Sequence, residues 1–215
     1  MRTLNELINT VEPAFPLVVE WIKNATSQCE VLPPSEARDS VLVELQVTTR
    51  SPMGAIAYET GGLLIDNGWL RVLGSGNPKL ERTITRWNKD RASGFLLVAD
   101  DAVGGFFAIN SGGLGADSGA MYYWAPDTLA WEALGVGYSD FLQWSLSPKL
   151  EQFYSNLRWP NWQSDVRNLH GDQCFNFYPF LWTEQGSVQT SRRAVVSISE
   201  QFAVNLDLAA QINGQ

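Results

Sequence analysis

The dipeptide Asn67-Gly68, set between Leu63-Leu-Ile65 and Trp69-Leu-Arg-Val-Leu73, constrains this chain more than any other feature. Asn-Gly supplies the positive φ angles of a tight hairpin turn, so the two flanking apolar runs are expected to pair as antiparallel strands. The pattern continues downstream. Phe95-Leu-Leu-Val-Ala99 is a continuous apolar run too short for a typical helix and reads as a buried strand. Asp100-Asp101 and Gly104-Gly105 read as a turn, with Phe106-Phe-Ala-Ile109 returning as the partner strand. Met121-Tyr-Tyr-Trp124 and Leu129 to Val136 supply two more strands around Pro126-Asp127. Gly61 to Val136 is therefore expected to form an antiparallel sheet of roughly five to six strands joined mostly by hairpins.

On either side of this block the hydrophobic period is helical. Thr3-Leu-Asn-Glu6 has the spacing of a capping box, with Leu4, Leu7, Ile8 and Val11 behind it. Pro16 can open a second helix bearing Leu17, Val18, Trp21, Ile22 and Ala25 on one face. Ser35 can cap a third, with Ala37, Val41, Leu42 and Leu45 aligned, although Val41 to Val47 also alternates like a strand. From Ala55 onward the period reads as strand. After Val136, Ser139 can cap a helix carrying Phe141, Leu142 and Leu146, and Leu150, Phe153, Tyr154 and Leu157 form the next helical stripe. Gln163 to Asn168 suits a short helix, Phe175 to Trp182 and Val195 to Ile198 read as extended pieces, and Phe202 to Ile212 is ambiguous. Helices, then hairpins, then helices predict an α+β fold whose antiparallel sheet is flanked by N- and C-terminal helices.

Composition excludes several function classes. The chain has 215 residues, 45% of them apolar, enough for a full core without disulfide or metal staples. Fifteen Lys and Arg against 23 Asp and Glu leave a net charge of −8, which opposes binding to a phosphate backbone. No apolar run approaches the ~18 residues of a membrane span, and the first residues lack a signal-peptide core, so a soluble cytoplasmic protein is expected. In that compartment Cys29 and Cys174 are expected as free thiols.

No catalytic constellation emerges. His170 is the only histidine, and no Cys-x-x-Cys, His-Glu-x-x-His or Gly-x-Ser-x-Gly occurs. Gly74-Ser-Gly76 lacks the third glycine of a dinucleotide fingerprint. No catalytic residue, metal ligand or cofactor is therefore assigned. Asp100 and Asp101 could hold a cation or act as a carboxylate pair, but neighbours on a strand point to opposite faces. The nine tryptophans admit two readings. Either they fill an aromatic core, or some of them, such as Trp124 on a predicted strand, face outward as binding surfaces. Trp69 and Arg71 lie two residues apart on one predicted strand, beside Asp66, and an exposed aromatic–guanidinium pair would make a docking hot spot. The competing reading buries this face under the N-terminal helices, with Arg71 paired to an acid inside. Candidate binding residues are thus Asp66, Trp69, Arg71, Asp100, Asp101 and Trp124.

The middle of the chain resembles the SUKH superfamily. The resemblance is carried by Gly61-Gly-Leu-Leu-Ile65, Phe95-Leu-Leu-Val-Ala-Asp-Asp101, Gly104-Gly-Phe-Phe-Ala-Ile-Asn110 and Tyr138-Ser-Asp-Phe-Leu-Gln-Trp144. Over nearly its full length the chain also looks like an uncharacterised bacterial branch of it, a domain-of-unknown-function family. That likeness rests on Gln46-Val-Thr-Thr-Arg-Ser-Pro52, Asn67-Gly-Trp-Leu-Arg71, Leu157-Arg-Trp159 and Tyr178-Pro-Phe-Leu-Trp182, among others. The resemblance implies one domain over 1–215, with 159–215 as a family-specific C-terminal extension. It also implies a non-enzymatic binding protein, of the immunity or regulatory kind, acting through contacts with a protein partner such as a toxin. The alternative is a glycan-binding or carbohydrate-active protein using an aromatic cleft and acidic residues. The oligomeric state is left open by either reading.

Overall fold

A computed structural model describes residues 1–213. Seven strands form one sheet: β1 (Cys29–Leu32), β2 (Gly62–Ile65), β3 (Leu70–Leu73), β4 (Phe95–Asp101), β5 (Phe106–Asn110), β6 (Met121–Ala125) and β7 (Ala130–Ala133). They lie in sequence order and every neighbouring pair is antiparallel, so the sheet is a meander without crossovers. The segment from Gly61 to Val136 supplies six of these strands. The seventh, β1, exceeds the expected number. Its four residues, Cys-Glu-Val-Leu, are too few to carry a period of their own, and pairing of Val31 with Leu63 places it at the edge.

Helices occupy the gaps: α1 (Leu4–Leu7), α2 (Phe15–Lys23), α3 (Arg38–Leu45), α4 (Pro52–Glu59), α5 (Ile84–Asn88), α6 (Tyr138–Ser145), α7 (Lys149–Phe153) and α8 (Trp162–Arg167). A second, two-stranded sheet of β8 (Gln173–Tyr178) and β9 (Arg192–Ser197) leads into α9 (Ile198–Asn213). Helix α4 departs from the strand period expected from Ala55. Ser51 accepts a hydrogen bond from the Gly54 N–H at 3.1 Å, with Pro52 opening the first turn. Gly54, Ala55, Ile56 and Ala57 are all buried, so the helix has no polar face to reveal its period.

The first hairpin pairs β2 with β3 as expected, but with four residues between the strands rather than the three of Asp66-Asn-Gly68. Asp66, Asn67 and Gly68 take successive positive φ angles of 52°, 63° and 86°, and Ile65 pairs with Leu70. Trp69 therefore sits in the loop, ahead of the strand. A larger correction concerns Asp100 and Asp101. Both belong to β4 rather than to a turn, because Asp100 pairs with Arg71 and Asp101 with Leu70 across the sheet. The turn falls at Ala102 to Gly105.

Adjacent residues of β5 show how the two faces of the sheet are covered. Phe107 packs against Phe141 of α6 at 4.9 Å between centroids, and its register partner Tyr123 packs against Phe153 of α7. Phe106 points the other way and meets Phe202 of α9 at 4.9 Å and Trp87 of α5 at 6.5 Å. The segment beyond Trp159 is built into this core. Phe175 N–H bonds the Ala102 carbonyl at 2.8 Å, and Asn205 of α9 bonds the Gly104 carbonyl at 3.1 Å.

Candidate functional site

The predicted hot spot lies inside the protein. Trp69 is 0% exposed and Arg71 is 1% exposed, so neither is available to a partner as an anchor. The cover comes from the C-terminal half of the chain, not from the N-terminal helices. Trp69 is enclosed by Trp162, Tyr154 and Trp159, with ring centroids at 5.0, 5.3 and 5.7 Å. Arg158 lies over Trp162 at 3.9 Å and over Trp69 at 4.9 Å, and its guanidinium pairs with Asp66. Asp66 thus fastens the hairpin tip to this aromatic cluster. Trp124 is buried as well, on β6 against Trp131 of β7 at 5.4 Å.

Arg71 is held by an acid in the interior. Its Nε and Nη2 donate to one Asp100 oxygen at 2.8 and 2.6 Å, and Nη2 also reaches the Gln173 carbonyl at 3.1 Å. The other Asp100 oxygen accepts from Arg82 at 2.6 Å. Arg82 continues to Asp172 at 2.6 Å and to the Gly171 carbonyl at 2.8 Å. Two guanidiniums and two carboxylates therefore tie β3 and β4 to the segment entering α5 and the start of β8. The charges balance within the cluster, which is how an interior acid and arginine avoid the cost of isolated burial.

Asp101 occupies the opposite face in a separate cage. One oxygen accepts from the N–H groups of Val103 and Gly105 at 3.0 and 2.8 Å. The other accepts from the hydroxyls of Tyr123 and Tyr154 at 2.8 and 3.0 Å. Burial pushes the carboxyl above its ordinary range, while these bonds and the nearby Arg71 charge oppose the rise. Gly105 is required here: a β-carbon would collide with both the Asp101 carboxylate and the Tyr123 hydroxyl. The two acids thus form no shared carboxylate site, as alternation along a strand dictates.

His170 contributes its ring to the fold. Its Nε2 bonds the Pro78 carbonyl at 2.8 Å, and its Nδ1 accepts from the Asp172 N–H at 3.2 Å. It borders a cavity of about 380 Å³ that also takes in Lys79, Arg167 and Glu30. Lys79 is paired with Glu30 at 2.6 Å, and Arg167 donates to Asn67 at 2.8 Å, so the polar groups of this cavity are largely engaged with one another. Cys29 and Cys174 are free thiols in different sheets, both pushed up to about 12 chiefly by burial.

An apolar concavity next to the sheet is one that sequence reasoning missed. A groove of about 510 Å³ lies where the chain leaves β7 for α6 and α7, lined by Leu134, Val136, Phe141, Trp144 and Phe153 together with the charged Asp140 and Lys149. Strand β7 is the last of the sheet and, among the described residues, pairs only with β6, so one side of its backbone is unpaired there. The signal for an edge was the strand count itself; its position next to α6 depends on how the sheet and helix pack.

Residues 4–201 match the family described as "Protein of unknown function DUF2625". The chain is 49% identical over 212 residues to the uncharacterized protein YbfG of Escherichia coli, covering 97% of each chain. It is 40% identical over 221 residues to an uncharacterized protein of Haemophilus influenzae, covering 99% of this chain and 94% of that one. This match overturns the resemblance to the SUKH superfamily: it assigns residues 4–201 to a family of unknown function, and nothing in it shows SUKH membership. Of the motifs behind the resemblance, the short apolar runs and the glycine-bearing turn between them are what any hairpin-connected meander favours on physical grounds. At this identity and coverage, the chain belongs to the DUF2625 family.

Proposed function

We propose that this protein is a non-catalytic binding protein that works through contact with another protein, docked at the β7 edge and the groove beside it. The observation that carries this reading is the conjunction of an apolar groove of about 510 Å³ with an unpaired strand edge. An extended segment can add to such an edge through backbone hydrogen bonds while its side chains enter the groove. The charges of Asp140 and Lys149 would fix its register. A toxin as the partner rested on the SUKH resemblance and is not carried forward. The glycan reading draws less support, because Trp69, Trp87, Trp124, Trp159 and Trp162 are buried and Asp100 and Asp101 face opposite ways.

The test compares wild type with a Leu134→Glu, Gln143→Arg double variant as baits in lysate of the source bacterium. A protein retained by wild type and lost by a variant of unchanged melting temperature supports docking in the groove. Equal retention of every captured protein by both baits refutes it.

A further inference from the structure

A further concavity, of about 270 Å³, lies between α5 and the junction of β9 with α9 and shares no lining residue with the groove beyond β7. Arg82, Arg86 and Arg91 line it together with Trp87 and Ser199. In a chain with 23 acids and 15 Lys and Arg, cations ordinarily find acidic partners. Arg82 does: its three nitrogens bond Asp100, Asp172 and the Gly171 carbonyl, so its charge is already balanced within that cluster. Arg86 and Arg91 enter no ion pair among the described residues.

Arg91 is also held in place. Its guanidinium lies 4.5 Å from the Trp87 ring centroid, donates to the Ser199 hydroxyl oxygen at 3.0 Å and reaches the Trp87 carbonyl at 3.3 Å. A hydroxyl that accepts from a guanidinium keeps its own proton to donate, so Ser199 can add an O–H donor to the site. The acids that line the pocket are Asp172 and Glu81. Asp172 is spent on Arg82 and on the Glu81 N–H at 2.7 Å. That leaves Arg86 and Arg91 facing the single carboxylate of Glu81.

We propose that this pocket binds a small oxyanion-bearing molecule, a phosphate monoester or a carboxylate, through Arg86, Arg91 and the Ser199 hydroxyl. Guanidinium forks match the spacing of two oxygens on such groups, and a site already stacked on an indole loses little freedom on binding. The volume, just under the ~300 Å³ at which ordinary ligand pockets begin, limits the ligand to a compact one.

The experiment titrates the intact protein with inorganic phosphate, phenyl phosphate and benzoate at constant ionic strength. It reads the melting temperature, with sodium chloride as the control. The expected result is a saturable rise with at least one probe and none with chloride. Phosphate probes alone would identify a phosphoryl ligand, and benzoate alone a carboxylate. Arg86→Gln and Arg91→Gln should each weaken binding by about tenfold or more, the loss expected for one charged hydrogen-bond donor. Arg86 is exposed and enters no ion pair among the described residues, so it decides the matter if Arg91→Gln fails to fold. No saturable rise with any probe, or equal affinity in the Arg86 variant, would overturn the proposal.

Discussion

Replacing Asp100 by alanine should destabilise the protein far more than the worth of any one of its bonds. Asp100 is 0% exposed and neutralises Arg71, which is 1% exposed, while sharing Arg82 with Asp172. Without it, Arg82 keeps Asp172 and the Gly171 carbonyl. Arg71 keeps only the Gln173 carbonyl, and its Nη1 already lacks a partner. The dominant cost is thus an orphaned interior guanidinium, for which ~3–5 kcal/mol is typical. In a domain of this size that lowers the melting temperature by about 6–20 °C. Urea unfolding, followed by tryptophan fluorescence and by circular dichroism, measures the loss. The reasoning also predicts a rescue: Arg71→Met combined with Asp100→Leu removes both charges while filling the space and should recover most of the stability. A cost below ~1 kcal/mol would place Asp100 among exposed pairs and refute the account. A double variant no more stable than Asp100→Ala would show that geometry, not charge, was lost.

Three further outcomes follow from the buried groups. Trp69→Ala should cost ~3–5 kcal/mol by opening a cavity among Tyr154, Trp159 and Trp162, and a melting temperature equal to wild type would contradict the packing described. Burial raises the Asp101 carboxyl above its unfolded value of about 3.9, so its contribution to stability is full below that pH and is lost as pH rises through the raised folded value. Asp101→Asn should flatten this decline, provided the variant folds, and an unaltered slope of unfolding free energy against pH would count against it. The thiols of Cys29, half-buried, and Cys174, fully buried, are held protonated with values near 12 and should alkylate slowly in the native protein at mildly alkaline pH and quickly in urea, whereas a fast native reaction at Cys174 would contradict its burial.

Local chemistry determined much of the fold. The Asn67-Gly68 turn, the apolar runs Phe95–Ala99 and Phe106–Ile109, and the helical spacings at Val41, Leu42 and Phe141, Leu142 all appear where their periods place them. Each rests on contacts between residues near in sequence, whose geometry is set by backbone φ and side-chain direction. What local pattern could not supply was the fate of polar residues inside those runs. Asp100-Asp101 has the composition of a turn, and only Arg71, Arg82, Tyr123 and Tyr154, brought from four other segments, make it tolerable as buried strand. Trp69 and Arg71 likewise have the composition of a binding hot spot. Their burial was decided by the chain beyond Tyr154, which returns to cover the hairpin. The same holds for the β7 groove and the arginine pocket, which arise where elements distant in sequence fail to fill the space between them. Spacing along a chain specifies faces and turns; which face is covered, and what gap remains, is set by packing over long range.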